Sequence, residues 1–149
     1  MTAKTSLNQY LTAWSNGKPE RTDIASTLER IAGASIRLAQ LIAHQGFSPV
    51  DTDGVSVNAD GDTQEPLDIL AHQLFETALR DSAVGLLASE ECEHAILLNP
   101  QATLGVAIDP LDGSSNIDTN LSVGTIFSVS SFGPACDLLT PNLFLNTTG

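Results

Sequence analysis

The stretch that decides the fold is Val106-Ala107-Ile108-Asp109-Pro110-Leu111-Asp112-Gly113-Ser114-Ser115-Asn116. An apolar run typical of a buried strand ends at Asp109, and Pro110 predicts a bend because proline cannot continue a central strand. The bend allows Asp109 and Asp112 to turn toward one point. Carboxylate oxygens are ligands of hard divalent cations, so the stretch predicts a metal site at a strand end.

The residues after the second aspartate favour an anion. Gly113 permits the backbone to approach a ligand closely, and the run Ser114-Ser115-Asn116 consists of residues that commonly cap a helix start. The N–H groups at such a start attract negative charge. A divalent cation beside an anion site suits a phosphate ester.

Acidic residues follow a second predicted strand as well. The string Ser89-Glu90-Glu91 comes directly after an apolar run. In layered α/β proteins ligands gather beyond the carboxyl ends of strands, so this string and the two aspartates are expected to share one site. Asp62 and Asp68 flank the start of a predicted helix, where Asp68 is open to a second interpretation, as an acid that complements the helix dipole.

Hydrophobic periodicity predicts helices followed by strands. One helix is expected from Thr22 or Asp23 to just before Gly46, and a second begins near Pro66. Residues 47–66 are expected to form a loop or a weak strand pair. Strands are expected at residues 84–88, 95–98, 104–108 and 123–129.

The composition favours a single domain that uses metal ions. The 149 residues, 42% of them hydrophobic, are enough to bury one core. Six Lys and Arg against 18 Asp and Glu give a formal net charge of −12, which opposes nucleic acid and anionic membranes as partners. The same charge repels an anionic substrate, so bound cations are expected to offset it.

The cysteines and the N-terminus favour a reduced, cytoplasmic setting. Cys92 and Cys136 are the only cysteines, and their spacing suggests neither a zinc site nor a disulfide framework. The N-terminal residues lack the apolar core of a secretory signal, and no run approaches the length of a membrane span. His44 falls near a predicted helix end, where it can meet terminal carbonyls, and His72 and His94 lack partners at ligand spacing, so none of the three is assigned a role at the site.

At this point the chain resembles a known family. The string Asp-Pro-Leu-Asp-Gly-Ser-Ser-Asn-Ile-Asp at residues 109–118, with Val-Gly-Thr-Ile-Phe at 123–127, is similar to the signature of class 1 fructose-1,6-bisphosphatases. Its first five residues are shared with the lithium-sensitive sugar and inositol phosphatase superfamily. The resemblance implies an α/β fold, the N-terminal half of a layered αβαβα sandwich, with a mixed sheet and N-terminal helices.

The resemblance also implies a set of site residues. Metal ions would be held by Glu90, Asp109, Asp112 and the backbone carbonyl of Leu111, with Asp62 near the metals. Mg²⁺ is the expected cofactor, with Mn²⁺ as the alternative, because every candidate ligand is an oxygen.

Catalytic and substrate roles follow from the same resemblance. Glu91 with Asp68 would accept a proton from the attacking water. The sugar 1-phosphate would be held by Asp112, Gly113, Ser114 and Ser115.

The implied reaction is hydrolysis of the 1-phosphate of fructose-1,6-bisphosphate, in gluconeogenesis or the Calvin cycle. Sedoheptulose-1,7-bisphosphatase activity is an alternative, because the motif would be the same. An inositol-phosphatase-like enzyme is disfavoured because its shorter motif lacks the Ser-Ser-Asn-Ile-Asp continuation. A truncated, inactive product is the non-enzymatic alternative, since members of the family are about twice as long.

Three segments are therefore expected. Residues 1–21 form an adaptable arm, residues 22–129 form the N-terminal part of a fructose-1,6-bisphosphatase-like domain, and residues 130–149 form a tail that no longer follows the family pattern. The family implies a homotetramer that acts on a small sugar bisphosphate.

Overall fold

The computed structural model describes residues 4–45, 64–119 and 122–131. Within these ranges the helices are α1 (Leu7–Ser15), α2 (Pro19–Gln45) and α3 (Gln64–Arg80), and a 3₁₀ helix spans Ser114–Thr119. The strands are β1 (Val84–Ser89), β2 (Ile96–Leu97), β3 (Leu104–Asp112) and β4 (Gly124–Ser131). The predicted α/β class, with helices ahead of a mixed sheet, is confirmed.

The strands form one sheet in the order β2-β1-β3-β4. β1 runs parallel to β3, whereas β2 pairs antiparallel with β1 and β4 pairs antiparallel with β3. The carboxyl ends of β1 and β3 therefore meet at the same edge. This parallel pair places the two acidic strings of the sequence side by side, as expected.

The core lies between α2, α3 and the sheet. Its most deeply buried side chains include Ile31 of α2, Phe75 and Leu79 of α3, Leu87 of β1 and Val106 of β3, each 0 to 1% exposed. Burying an aliphatic or aromatic side chain fully contributes roughly 1.5–3 kcal/mol. This packing fixes the strand ends, and with them the acidic residues that follow.

Part of the segment expected to be an arm is a helix. Ser6 caps α1, since its Oγ accepts a hydrogen bond from the Gln9 N–H (3.2 Å) and the Gln9 Oε1 accepts one from the Ser6 N–H (3.0 Å). Leu11 of α1 is 3% exposed, and Arg21 stacks 5.2 Å from the ring centroid of Trp14. A short helix with one buried residue per turn gives too weak a period to be recognised in the sequence.

The two long helices lie close to their predicted positions. α2 begins at Pro19, three residues before the predicted cap at Thr22, because proline fits the first turn of a helix. Thr22 instead donates its hydroxyl to the Lys18 carbonyl (3.0 Å). α3 begins at Gln64, just ahead of the predicted Pro66.

The signature strand does not end at Asp109. β3 continues through Pro110 to Asp112, so the predicted end was wrong. Asp109 pairs with Ile126 and Asp112 pairs with Gly124, so three steps along β3 match two along β4. This is a β-bulge, and proline is tolerated there because the ladder is already interrupted.

The bulge brings the two aspartates onto one face. In a regular strand, residues three positions apart point to opposite faces. Gly124 and Ile126 are two apart on β4 and share a face, so their partners Asp112 and Asp109 share it too. The convergence predicted from a bend is achieved by one extra residue inside the strand.

The remaining strand predictions agree with the structure at three of four positions. β1 and β3 cover the predicted runs and β4 begins one residue after the predicted start at 123, whereas only Ile96–Leu97 of residues 95–98 forms a strand. The predicted loop or strand pair at 47–66 lies mostly outside the described residues, as does most of the predicted tail at 130–149. Among the described helices, none is long and apolar enough to cross a membrane.

Candidate active site

The turn after β1 is held by backbone hydrogen bonds. The N–H of Glu90 donates to the Ile108 carbonyl of β3 (3.0 Å), which continues the parallel ladder one residue beyond β1. The N–H of Glu91 donates to the Ser89 Oγ (3.4 Å), and the N–H of Cys92 donates to the Ser89 carbonyl (3.1 Å). Glu90 is therefore placed directly beside residues 108 and 109 of β3.

The bulge in β3 is fixed by two side-chain contacts. The Asp109 Oδ1 accepts a hydrogen bond from the Leu111 N–H (3.1 Å), and the Thr125 hydroxyl donates to the Pro110 carbonyl (3.0 Å). The Leu111 side chain is 4% exposed and packs in the core. This anchor holds the backbone of residues 109–112, where the predicted ligands lie.

Glu90 and Asp109 form the centre of an acidic cluster. Their side chains lie within hydrogen-bonding reach of each other, and this contact is the largest cause that raises the pKa of Glu90. The charges of Asp109, Glu91 and Asp112 raise it further. A carboxyl group surrounded by like charges holds its proton more tightly, unless a cation balances the charge.

Asp68 and Glu91 form the second part of the cluster. Burial is the main cause that raises the pKa of each carboxyl. The Asp109 charge raises both pKa values as well, whereas a hydrogen bond from the Ser114 side chain lowers that of Asp68. The structure thus brings the two residues expected to activate water next to the expected metal ligand Asp109.

The turn after β3 requires a glycine. Gly113 has φ of +79°, and a Cβ at this position would lie 3.0 Å from the Asn116 Nδ2 and 3.4 Å from the Ser122 carbonyl oxygen. The N–H of Asn116 donates to the Gly113 carbonyl (2.8 Å), which closes the first turn of the 3₁₀ helix. Ser114 and Ser115 begin that helix, next to Asp112.

The donor set of the cluster fits a hard cation. The side chains of Glu90, Asp109 and Asp112 offer only oxygen atoms, and their mutual repulsion favours a positive charge among them. The Asp68 Oδ1 is buried and accepts no hydrogen bond from the described residues. Over these same ranges, no three His, Cys, Asp or Glu side chains lie close enough together to hold a metal ion. Metal binding by these residues stays a prediction, and Asp62 lies outside the described residues.

An open groove adjoins the carboxylates. It has a volume of about 410 Å³, and its lining includes Glu90, Asp109, Ala88, Ala107, Ile126 and Ser128. The groove therefore offers room for a small molecule beside the Glu90 and Asp109 carboxylates.

Sequence reasoning assigned no role to His72, yet the structure places it at the site. It is buried beneath the turn after β1 and contacts Ser89, Cys92 and Glu76. The signal was present in the spacing, since Asp68, His72 and Glu76 follow one another at intervals of four on one face of α3. Cys92 is a free thiol, and burial is the main cause that raises its pKa.

Comparison with known proteins gives the family. Residues 11–142 match the family model described as fructose-1-6-bisphosphatase, N-terminal domain. The chain belongs to this family. The resemblance to class 1 fructose-1,6-bisphosphatases, based on the string at residues 109–118, is confirmed. The match to the fructose-1,6-bisphosphatase N-terminal domain begins within the segment expected as an arm and ends within the expected tail.

Fructose-1,6-bisphosphatases from several organisms are similar to the chain. The class 1 enzyme of Azorhizobium caulinodans is 42% identical over 93% of this chain and 45% of its own length. That of Paracoccus denitrificans is 53% identical over 68% of this chain and 30% of its own length. The crystal structure of Leishmania major fructose-1,6-bisphosphatase in holo form matches with a TM-score of 0.74 at 29% identity, over 98% of this chain and 44% of that one. The chain therefore spans less than half the length of these relatives.

Proposed function

We propose that this chain carries the metal-binding and water-activating part of a metal-dependent fructose-1,6-bisphosphate 1-phosphatase. One observation supports this above all. The Glu90 side chain, directly after β1, meets the Asp109 side chain on the neighbouring β3, and the charge of Asp112 acts on the same carboxyl group. The substrate is inferred from the relatives, which are fructose-1,6-bisphosphatases.

The metal would be held by the carboxylates of Glu90, Asp109 and Asp112 and by the Leu111 carbonyl, with Asp62 as a further proposed ligand. Mg²⁺ suits this set, and Mn²⁺ is the alternative. When bound, such an ion polarises phosphoryl oxygens and lowers the pKa of a coordinated water. The net charge of −12 supports the proposal, because an anionic substrate approaches such a chain more readily when cations are bound.

Glu91, with Asp68 beside it, would accept the proton of the attacking water. A raised carboxyl pKa makes Glu91 a stronger base than an ordinary glutamate, which favours proton transfer from water. In the proposed step the water oxygen forms a bond to phosphorus and its proton passes to the Glu91 carboxylate. The bond between phosphorus and the C1 oxygen of the sugar breaks, and that oxygen is protonated from solvent. Asp68 stays beside Glu91 and raises its pKa further.

The 1-phosphate would be held by the turn after β3. Gly113 brings the backbone close to a ligand, and the hydroxyls of Ser114 and Ser115 offer donors next to Asp112. The resemblance further implies a cytoplasmic homotetramer that acts in gluconeogenesis or the Calvin cycle.

The proposal is tested by phosphate release from fructose-1,6-bisphosphate by the folded chain, with and without Mg²⁺. Turnover that requires the metal and disappears in D109N supports it. A folded chain that binds no Mn²⁺ overturns it, and a folded chain that binds Mn²⁺ without turnover favours the alternative of a truncated, inactive product. Sedoheptulose-1,7-bisphosphate is assayed in parallel, and faster turnover of that sugar would replace fructose-1,6-bisphosphate as the proposed substrate.

A further inference from the structure

His72 bridges α3 to the turn after β1. Its side chain is 8% exposed, and Nδ1 lies 3.0 Å from the Ser89 Oγ. Nε2 lies 3.5 Å from the Glu76 Oε2 and 3.5 Å from the Cys92 Sγ. The imidazole is thus held between a helix residue on one side and the turn that carries Glu90 and Glu91 on the other.

The donor and acceptor capacities of these groups indicate which atom donates each hydrogen bond. The Glu91 N–H can only donate, and it donates to the Ser89 Oγ. All polar groups are used when the Ser89 hydroxyl donates in turn to the His72 Nδ1. Nε2 then carries the ring hydrogen and lies 3.5 Å from the Glu76 Oε2 and 3.5 Å from the Cys92 Sγ. The partners thus assign the Nε2–H tautomer.

We propose that His72 is a positioning residue that holds the turn of residues 89–92, and with it Glu90 and Glu91, beside Asp109. It acts through the Ser89 hydroxyl and not on the substrate. The inference rests on the proposed function, which gives Glu90 and Glu91 their roles.

The hydrogen bond between Ser89 and His72 is buried, so water cannot easily replace either partner. Ser89 is 7% exposed, so its hydroxyl has little access to water as a substitute partner. Without His72 the hydroxyl would lose its acceptor and rotate, and the Glu91 N–H would lose a fixed partner. Loss of a residue that orients a metal ligand without binding the metal itself typically lowers metal affinity by roughly 10- to 100-fold. An effect of this kind is expected here.

The test compares two substitutions in the full 149-residue chain. Asparagine places an amide close to the position of Nδ1, so H72N can keep the link to Ser89, whereas H72L fills similar space without a polar atom. We expect H72L to raise the Mn²⁺ dissociation constant by about tenfold and H72N to leave it near that of the unsubstituted chain. His94 is exposed, so H94L serves as the matched control and is expected to change nothing.

A double-mutant cycle separates positioning from a general loss of packing. S89A removes the other end of the same link, so S89A and the double variant H72L/S89A should weaken Mn²⁺ binding as much as H72L alone. Additive losses would mean that the two side chains act separately, and this would overturn the proposal. Far-UV circular dichroism confirms that each variant is folded.

Amide hydrogen exchange at Glu91 gives a readout that needs no metal. We expect faster exchange in H72L and S89A and slow exchange in H72N. Unchanged exchange in H72L overturns the inference.

If D109N abolishes Mn²⁺ binding while H72L leaves it intact, the inference fails and the proposed function stands. If Mn²⁺ binding ignores D109N, the proposed function fails, and the exchange data alone then decide whether His72 holds the turn.

Discussion

The carboxyl groups of Glu90 and Asp109, 19 residues apart in the sequence, lie within hydrogen-bonding reach of each other. The N–H of Glu90 donates to the carbonyl of Ile108, the residue before Asp109, so the backbones hold the two side chains together. Two carboxylates at this distance share either a proton or a cation. Asp109 is therefore expected to be needed for cation binding at this point.

Neutralising Asp109 is expected to weaken the binding of Mg²⁺ and Mn²⁺ strongly. Asparagine keeps an Oδ1 that can accept the Leu111 N–H, so D109N removes the charge and preserves the bulge. The Mn²⁺ dissociation constant, measured by titration calorimetry, should rise by about 100-fold or more. Loss of a residue that only hydrogen-bonds to a metal ligand already lowers metal affinity by roughly 10- to 100-fold, and loss of a ligand is expected to cost at least as much.

The matched control is D81N. Asp81 is exposed and follows α3, 13 residues after Asp68, or about 20 Å along a helix. D81N removes the same charge far from the cluster and should leave Mn²⁺ binding unchanged. Equal weakening in the two variants would show that net charge, and not a ligand at residue 109, controls the affinity.

Removing the Glu91 charge is expected to stabilise the metal-free chain near neutral pH. Its pKa in the folded state is raised above the ordinary value near 4.5, mainly by burial and then by Asp68 and Asp109. The folded state therefore prefers the protonated form, and stability is lost as the pH rises from about 4.5 through the raised pKa. Glutamine carries no charge, so E91Q avoids this loss. The gain in the free energy of unfolding is expected to be less than about 1 kcal/mol, because solvent screens a group that is only partly buried.

Urea unfolding in EDTA measures this effect. E91Q should be more stable than the unsubstituted chain at pH 7.5, and the difference should vanish as the pH falls below about 4.5. E93Q removes an exposed charge from the same part of the chain and is expected to have little effect. A gain in E91Q that persists at low pH would contradict the electrostatic cause.

Replacing Gly113 by alanine is expected to destabilise the turn after β3. The positive φ of +79° and the two close contacts of a Cβ both oppose it. Left-handed backbone costs a residue with a Cβ roughly 1–2 kcal/mol, so G113A should lower the free energy of unfolding by at least that amount. Gly17 has φ of +69° with open space around its Cβ position. G17A therefore isolates the backbone term, and an equal loss in both variants would show that the contacts with Asn116 and Ser122 carry no cost.

The outer strand of the described sheet is expected to limit solubility. Ile126 of β4 is 60% exposed, and β4 lies at the end of the sheet order, where an exposed apolar strand favours association between chains. I126K should reduce light scattering at high protein concentration without lowering stability. S128K adds the same charge on the same face without removing apolar surface, so an equal gain there would assign the effect to charge alone.

The sequence predicted the elements with strong periodic patterns. α2, α3, β1 and β3 were expected within a few residues, because each buries a continuous apolar face that shows in the spacing of the residues. α1 was missed, although the Ser6–Gln9 capping box is visible in the sequence, because its apolar pattern is short. The end of β3 was misplaced because proline usually interrupts a strand, and a bulge accommodates it here.

The sequence by itself determined the family and the identities of the acidic residues, because these are properties of a local string of residues at 109–118 and of the Ser-Glu-Glu run. Only the tertiary structure decided that a bulge, and not a bend at the strand end, brings Asp109 and Asp112 onto one face, and that His72 contacts the turn after β1. The physical reason is that both outcomes depend on pairing between distant segments. A single extra residue in the ladder reverses which face a side chain occupies, and a buried histidine finds its partners only when a helix packs on a sheet.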